Sequence, residues 1–176
     1  DKPGLRPTPD RVRETLFNWL ASLAGAGGGE LPGWQCLDAF AGTGALGLEA
    51  ASRGAAGVLL CEQDAALVAQ IQAAKTKLAA EAVRVERGNG VTALERAPAA
   101  SFDVVFLDPP FDSTTLYEPA LRAAARAVRA GGAIYLEAPR RWSDEEAAAL
   151  GLVVFRHLKA GAVHAHLLMH AAHGTA

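Results

Sequence analysis

Asp108-Pro109-Pro110-Phe111 gathers a carboxylate, two proline-flanked carbonyls and an aromatic ring within four residues. The prolines fix the backbone and remove two N–H donors, leaving carbonyls as acceptors. Asp108 adds a carboxylate acceptor, and Phe111 a flat face on which a base can stack. An exocyclic amino group carries two N–H donors, so this set matches it. The same four residues also suit a rigid turn after a buried strand.

A second constellation lies upstream. The run from Leu37 to Gly47 holds Gly42-Thr43-Gly44-Ala45-Leu46-Gly47, a G-x-G-x-x-G pattern between an expected strand and an expected helix. Glycines there permit a sharp turn and close backbone approach to a ligand. Glu62 follows about 20 residues after Gly42, at the expected carboxyl end of the next strand, where a carboxylate accepts from ribose hydroxyls. Loop and acid together point to an adenosine-containing cofactor. A nicotinamide dinucleotide stays open as an alternative. Asp38 counts against it, because a negative charge before the loop repels a pyrophosphate and attracts an ammonium group.

These residues need a scaffold, and the pattern supplies one. Thr8-Pro9-Asp10 reads as a helix start, with Thr8 as N-cap and Pro9 at the first helical position. Val12, Leu16, Trp19, Leu20 and Leu23 form one apolar helix face, ended by the glycines from Gly25 to Gly29. Strands are then expected at Cys36–Phe40, Val58–Glu62, Val83–Glu86, Val104–Asp108 and Ala133–Glu137. Helices are expected at Gly44–Ser52, Ala65–Ala80, near Val91–Arg96, at Leu116–Val128 up to Gly131-Gly132, and from Ser143 with Glu146 in capping-box position. Alternation of this kind implies parallel pairing with right-handed crossovers. Leu152–Lys159 and Ala162–Met169 are separated only by Ala160-Gly161, which demands an antiparallel hairpin. A parallel sheet finished by such a hairpin is the layout of the seven-stranded, Rossmann-like, S-adenosylmethionine-dependent methyltransferase fold. The expected organisation is α/β in a single domain spanning 1–176, with an N-terminal helix and loop (1–33) before the core (34–176).

Composition narrows the classes. The chain has 176 residues, 51% of them hydrophobic and 20% charged, which excludes disorder as the main state. No apolar run approaches the roughly 18 residues needed to span a bilayer, and no signal peptide opens the chain, so a cytoplasmic protein is expected. Cys36 and Cys61 sit in apolar runs and read as reduced core residues. His157, His164, His166, His170 and His173 lack acidic neighbours and read as surface strand positions, with no metal site expected. A net charge of −2 means that any nucleic-acid contact needs a local basic surface. Arg122, Arg126 and Arg129 recur on one face of an expected helix and read first as a solvated face. Arg6 and Arg11 flank the start of the first helix and are the candidate phosphate contacts.

Asp108-Pro109-Pro110-Phe111 resembles the [DN]-P-P-[YF] motif of amino-group methyltransferases acting on nucleic-acid bases. Leu5-Arg6-Pro7-Thr8-Pro9-Asp10-Arg11-Val12-Arg13-Glu14-Thr15-Leu16-Phe17-Asn18-Trp19-Leu20 is similar to the opening of the RsmD family, as is the run from Leu37 to Ala50. The likeness extends from Gly4 to about Met169. It implies transfer of a methyl group from S-adenosylmethionine to a guanine N2 amine in 16S ribosomal RNA, free or within an assembling small subunit. An adenine-N6 methyltransferase, or a nucleotide-binding module without methyl transfer, are the alternatives. The resemblance assigns Asp38, Phe40, Gly42, Gly44, Glu62, Gln63 and Asn89 to the cofactor, and Asp108, Pro109, Pro110 and Phe111 to the reaction. Two departures stand out. Family members usually carry a basic, glycine-containing segment before the Arg-Pro-Thr motif, whereas Asp1 stands nearly at it. Many methyltransferases place an aspartate where this chain has Asn89, whose amide oxygen can accept the same bond.

Overall fold

The structure, a computed structural model, describes residues 8–171. Its centre is a seven-stranded sheet in the order β3-β2-β1-β4-β5-β7-β6. The strands are β1 (Gln35–Asp38), β2 (Gly57–Glu62), β3 (Val83–Arg87), β4 (Phe102–Leu107), β5 (Val128–Ala138), β6 (Leu152–Ala160) and β7 (Val163–His170). The first five pair in parallel, and β7 runs antiparallel to both β5 and β6. The expected methyltransferase layout is therefore the observed one. Chain order reverses between β1 and β4, so ligands belong in the crevice at the carboxyl ends of those strands.

Helices α1 (Asp10–Ala24), α2 (Ala45–Ser52) and α3 (Ala65–Leu78) cover one face, and α4 (Gly90–Arg96), α5 (Tyr117–Ala127) and α6 (Asp144–Ala148) the other. On the first face Val12, Leu16, Phe17 and Leu20 of α1 are buried, and the rings of Phe17, Phe106 and Tyr135 follow one another at 5.9 and 6.4 Å. On the second, Tyr117, Leu121 and Ala124 pack with Leu94, Val105, Leu107 and Trp142. Burial on both faces explains why β4 reads as an unbroken apolar run. Cys36 and Cys61 are buried, reduced core residues as expected.

Four expectations need correction. Thr8 does not cap α1. Pro9 occupies the cap position without a side-chain bond, and Thr8 Oγ1 instead donates to Glu137 Oε2 at 2.7 Å. Gly131-Gly132 does not end a helix. β5 already begins at Val128, and a register shift against β4 absorbs the residues between Val128 and Ala133. Glycine is required there: Gly131 has φ +83°, and a Cβ on Gly132 would stand 2.6 Å from the Asp103 carbonyl oxygen. Arg129 consequently leaves the helix and pairs with Asp103, so the three arginines do not share a helix face. Arg126 bonds the carbonyls of Leu94, Glu95 and Ala97 at the end of α4, and Arg122 pairs with Glu118. Finally, His166 is not a surface residue. It lies fully buried on β7, an inner strand covered by the loop between β5 and α6. Trp142 N donates to its Nε2 at 3.0 Å, and its Nδ1 lies 3.1 Å from the Leu136 carbonyl oxygen.

Candidate active site

A cavity of about 310 Å³ opens at the carboxyl ends of β1, β2 and β4. That is the size of a small-molecule site. Asp38 and Glu62 enter it from the ends of β1 and β2, and Asp108-Pro109-Pro110 from the segment after β4. Phe40, Leu67 and Leu116 supply apolar wall, and Thr8 closes one side.

The loop after β1 is held from within. Gly42 N donates to Glu62 Oε1 at 2.8 Å, Gly44 N to the Ala41 carbonyl at 2.7 Å and Gly47 N to Asp38 Oδ2 at 3.0 Å. Asp64 N donates to the other Glu62 oxygen at 2.8 Å. Glu62 thus ties the glycine loop to the start of α3, while each carboxylate oxygen keeps a further lone pair. Gly44 has φ +84°, a conformation that costs side-chain-bearing residues about 1–2 kcal/mol. Gly47 serves packing instead. A Cβ there would stand 2.8 Å from Leu60, so its absence lets α2 lie close on β2.

This wiring bears on the ligand. The N–H groups of Gly42, Gly44 and Gly47 face carboxylates and a carbonyl of the chain itself, so they do not form a phosphate cradle. Among the described lining residues there is no lysine or arginine, but Asp38, Glu62, Asp64 and Asp108 are all present. A pyrophosphate is poorly served by such a set, and a cationic sulfonium or ammonium group is well served. The residues therefore fit S-adenosylmethionine better than a nicotinamide dinucleotide. Asp38 is completely buried, and burial pushes its carboxyl up to about 7. The Gly47 N–H pulls it back, while the charges of Glu62 and Glu137 push it further up.

The residues singled out in the sequence are distributed as follows. Asp38, Phe40, Gly42, Glu62, Gln63, Asp108, Pro109 and Pro110 all line the cavity. Gly44 does not: a Cβ there would meet Ile71 at 3.1 Å and Leu60 at 3.3 Å, in the core and not in ligand space. Asn89 is exposed, and its Oδ1 accepts from Thr92 N at 3.0 Å as the cap of α4. The lining there comes from its neighbours Gly88 and Gly90. Phe111 is half-buried beside the rim, outside the lining. The Pro109 carbonyl lies 3.5 Å from the Tyr117 hydroxyl, and the Pro110 carbonyl accepts from Ser113 N at 3.0 Å. Arg11 is exposed at the start of α1; Arg6 lies outside the described residues, as does His173. Sequence reasoning missed Thr8, Asp64, Leu67 and Leu116 as lining residues. Only Asp64 carried a readable signal, as the residue that caps α3 two places after Glu62.

The described residues contain no cluster suited to a metal ion and no helix long and apolar enough to cross a membrane. Known proteins share the fold. The Escherichia coli "Ribosomal RNA small subunit methyltransferase D" is 48% identical over 118 residues, 67% of this chain and 56% of that protein. The Haemophilus influenzae protein of the same name is 42% identical over 111 residues, covering 61% and 54%. The chain thus matches little more than half the length of these curated relatives. The solved structure of Escherichia coli yhhF superposes with a TM-score of 0.79 at 38% identity, covering 98% of this chain and 92% of that one. The family described as "Conserved hypothetical protein 95" matches residues 1–169, and the chain belongs to it, the RsmD family.

Proposed function

We propose that this protein transfers a methyl group from S-adenosylmethionine to the exocyclic N2 amine of a guanine in small-subunit ribosomal RNA. The observation that carries the reading is one cavity shared by Asp38, Glu62 and Asp108-Pro109-Pro110. The relatives named for small-subunit rRNA methylation supply the substrate class, and the family resemblance supplies the N2 position.

Bound S-adenosylmethionine supplies an electrophilic methyl group. Asp38 receives the ammonium of its amino-acid part, Glu62 and Gln63 face the ribose, and Phe40 and Leu67 give apolar contact. On the substrate side, a guanine amino lone pair is delocalised into the ring and is a poor nucleophile. Asp108 and the Pro109 carbonyl accept its two N–H bonds and favour a pyramidal nitrogen whose lone pair points at the methyl. The Tyr117 hydroxyl orients that carbonyl, which retains a second lone pair. Transfer of the methyl group would leave the nitrogen with a surplus proton, which Asp108 would pass on to solvent. Positioning and electrostatics do most of the work, so Asp108 need not be a strong base. The base must leave its stack to enter, and Phe111 stacks on it.

The test is transfer of tritiated methyl to 16S rRNA and to partly assembled small subunits from methylase-deficient cells, followed by nucleoside identification. N2-methylguanosine is expected. Asp108→Ala should cut turnover by orders of magnitude while S-adenosylhomocysteine affinity stays within a few fold. Methylated adenosine, or near-wild-type turnover of the variant, would refute the assignment.

A further inference from the structure

The β6–β7 hairpin brings a basic group of side chains to the same end of the sheet as the cavity. β7 begins where β5 ends, since Ala138 pairs with His164, and Lys159 of β6 stands opposite His164. His157 stands opposite His166, so period-two alternation puts Lys159, His157, His164 and His166 on one face of the hairpin. The rings of His157 and His164 stack at 5.1 Å, with Nε2 of the first 2.9 Å from Nδ1 of the second. Arg141, from the loop between β5 and α6, acts electrostatically on all three of these histidines, and Lys159 acts on His164. Besides burial, the Leu136 carbonyl and the Trp142 N–H, the groups acting on them are basic or imidazole. Arg140, beside Arg141, is engaged by Glu146 at 2.9 Å and lies over the Trp142 ring, but Arg141 and Lys159 are exposed.

In a chain of net charge −2 the positive charge of this group is carried by the two exposed cations, Arg141 and Lys159, while the histidines, held below their ordinary value, present neutral imidazole edges. The position of that charge matters as much as its sign. β7 and β6 lie two and three strands from β4, about 10 and 14 Å at the usual strand spacing, and His164 pairs with Ala138 at the carboxyl end of β5, so the group lies at the same end of the sheet as Asp108. The cavity itself is lined by acids, which repel phosphate, so a polyanion entering it must be held from outside.

We propose that Arg141, Lys159 and His164 form the surface that holds the RNA backbone flanking the target base, an inference that rests on the methyltransferase reading above. Arg141 and Lys159 contact phosphates. His164, hydrogen-bonded to His157, presents an imidazole edge to the same strand. The acidic cavity and the basic hairpin divide the labour: one takes the cationic cofactor and the neutral base, the other the charged backbone.

The experiment compares wild type, Arg141→Ala/Lys159→Ala and the control Lys77→Ala/Arg84→Ala. The control removes the same charge from the end of α3 and the start of β3, at the opposite end of the sheet. Binding to protein-free 16S rRNA is measured against salt, with kcat, KM and S-adenosylhomocysteine affinity alongside. Two lost phosphate contacts should lower the slope of log affinity against log salt by about 1.4 for single strands. KM for RNA should rise while kcat and S-adenosylhomocysteine affinity hold, the signature of lost uniform binding. The control should keep the wild-type slope. Equal slopes in wild type and Arg141→Ala/Lys159→Ala, or an equal drop in the control, would overturn the surface while leaving the methylation reading intact. Wild-type protein that neither binds nor methylates the RNA, whether protein-free or in partly assembled small subunits, would overturn both.

Discussion

Asp38→Asn separates the chemistry of the buried carboxylate from its structural role. The amide is nearly isosteric, and its oxygen can keep the 3.0 Å bond from Gly47 N. What disappears is a charge that the fold disfavours. Burial moves the Asp38 carboxyl from an ordinary value of about 3.9 to about 7. The folded protein therefore binds one more proton than the unfolded chain between those values. Stability from this group is complete at low pH and is lost as pH rises to about 7. Three pH units at about 1.4 kcal/mol each make about 4 kcal/mol. His166 works in the opposite direction over nearly the same window. Burial holds it down to about 4, so its contribution is lost as pH falls from its ordinary range toward 4. The wild-type profile is thus a sum of opposing slopes, and only the variant isolates Asp38. The assay is urea unfolding of both proteins from pH 4 to pH 8.5. The variant should gain about 4 kcal/mol relative to wild type across that range. Parallel stability curves would refute the reasoning, because they would mean that the carboxyl titrates alike in the folded and unfolded states.

The same group predicts that S-adenosylhomocysteine affinity rises with pH up to about 7 and then levels, since the ammonium partner needs Asp38 ionised; calorimetry at several pH values reads this, and a flat profile contradicts it. Glu62→Ala leaves the amides of Gly42 and Asp64 without their acceptor, and should weaken S-adenosylhomocysteine binding by about 1.5–3 kcal/mol, again by calorimetry. Gly44→Val combines φ +84° with a crowd of Ile71 and Leu60. It should cost about 2–4 kcal/mol of stability, so a melting temperature within a degree of wild type would be inconsistent with the loop geometry. Arg126→Ala removes the bonds to the carbonyls ending α4 and should cost about 1 kcal/mol. Arg122→Ala breaks only an exposed pair with Glu118 and should stay within about 0.5 kcal/mol; denaturant titration compares the two.

Much of this protein is legible along the chain because the relevant physics is local. Alternating apolar strands and helices imply a parallel sheet, a two-residue break implies a hairpin, and a glycine loop followed by Glu62 implies a nucleoside-sized crevice. Ser143 and Glu146 form the capping box that their spacing announces. Other features depend on what lies across the fold. Thr8 has the residue type of a helix cap, but a partner 129 positions away, Glu137, claims its hydroxyl. Gly131-Gly132 has the look of a helix stop, yet the backbone of β4 passes so close that the pair becomes a bulge inside β5. Asn89, by contrast, is settled locally: it caps α4 through Thr92 N three residues on, a role its residue type favours. The histidines show the division most plainly. Alternation alone cannot tell which face of a strand is covered, and His166 is buried because the loop carrying Trp142 folds over β7. That same fold gathers Arg141 and Lys159, 18 positions apart in the chain, at the cavity end of the sheet. Sequence spacing determines which side chains share an element. Only the packing of elements determines which charges share a surface.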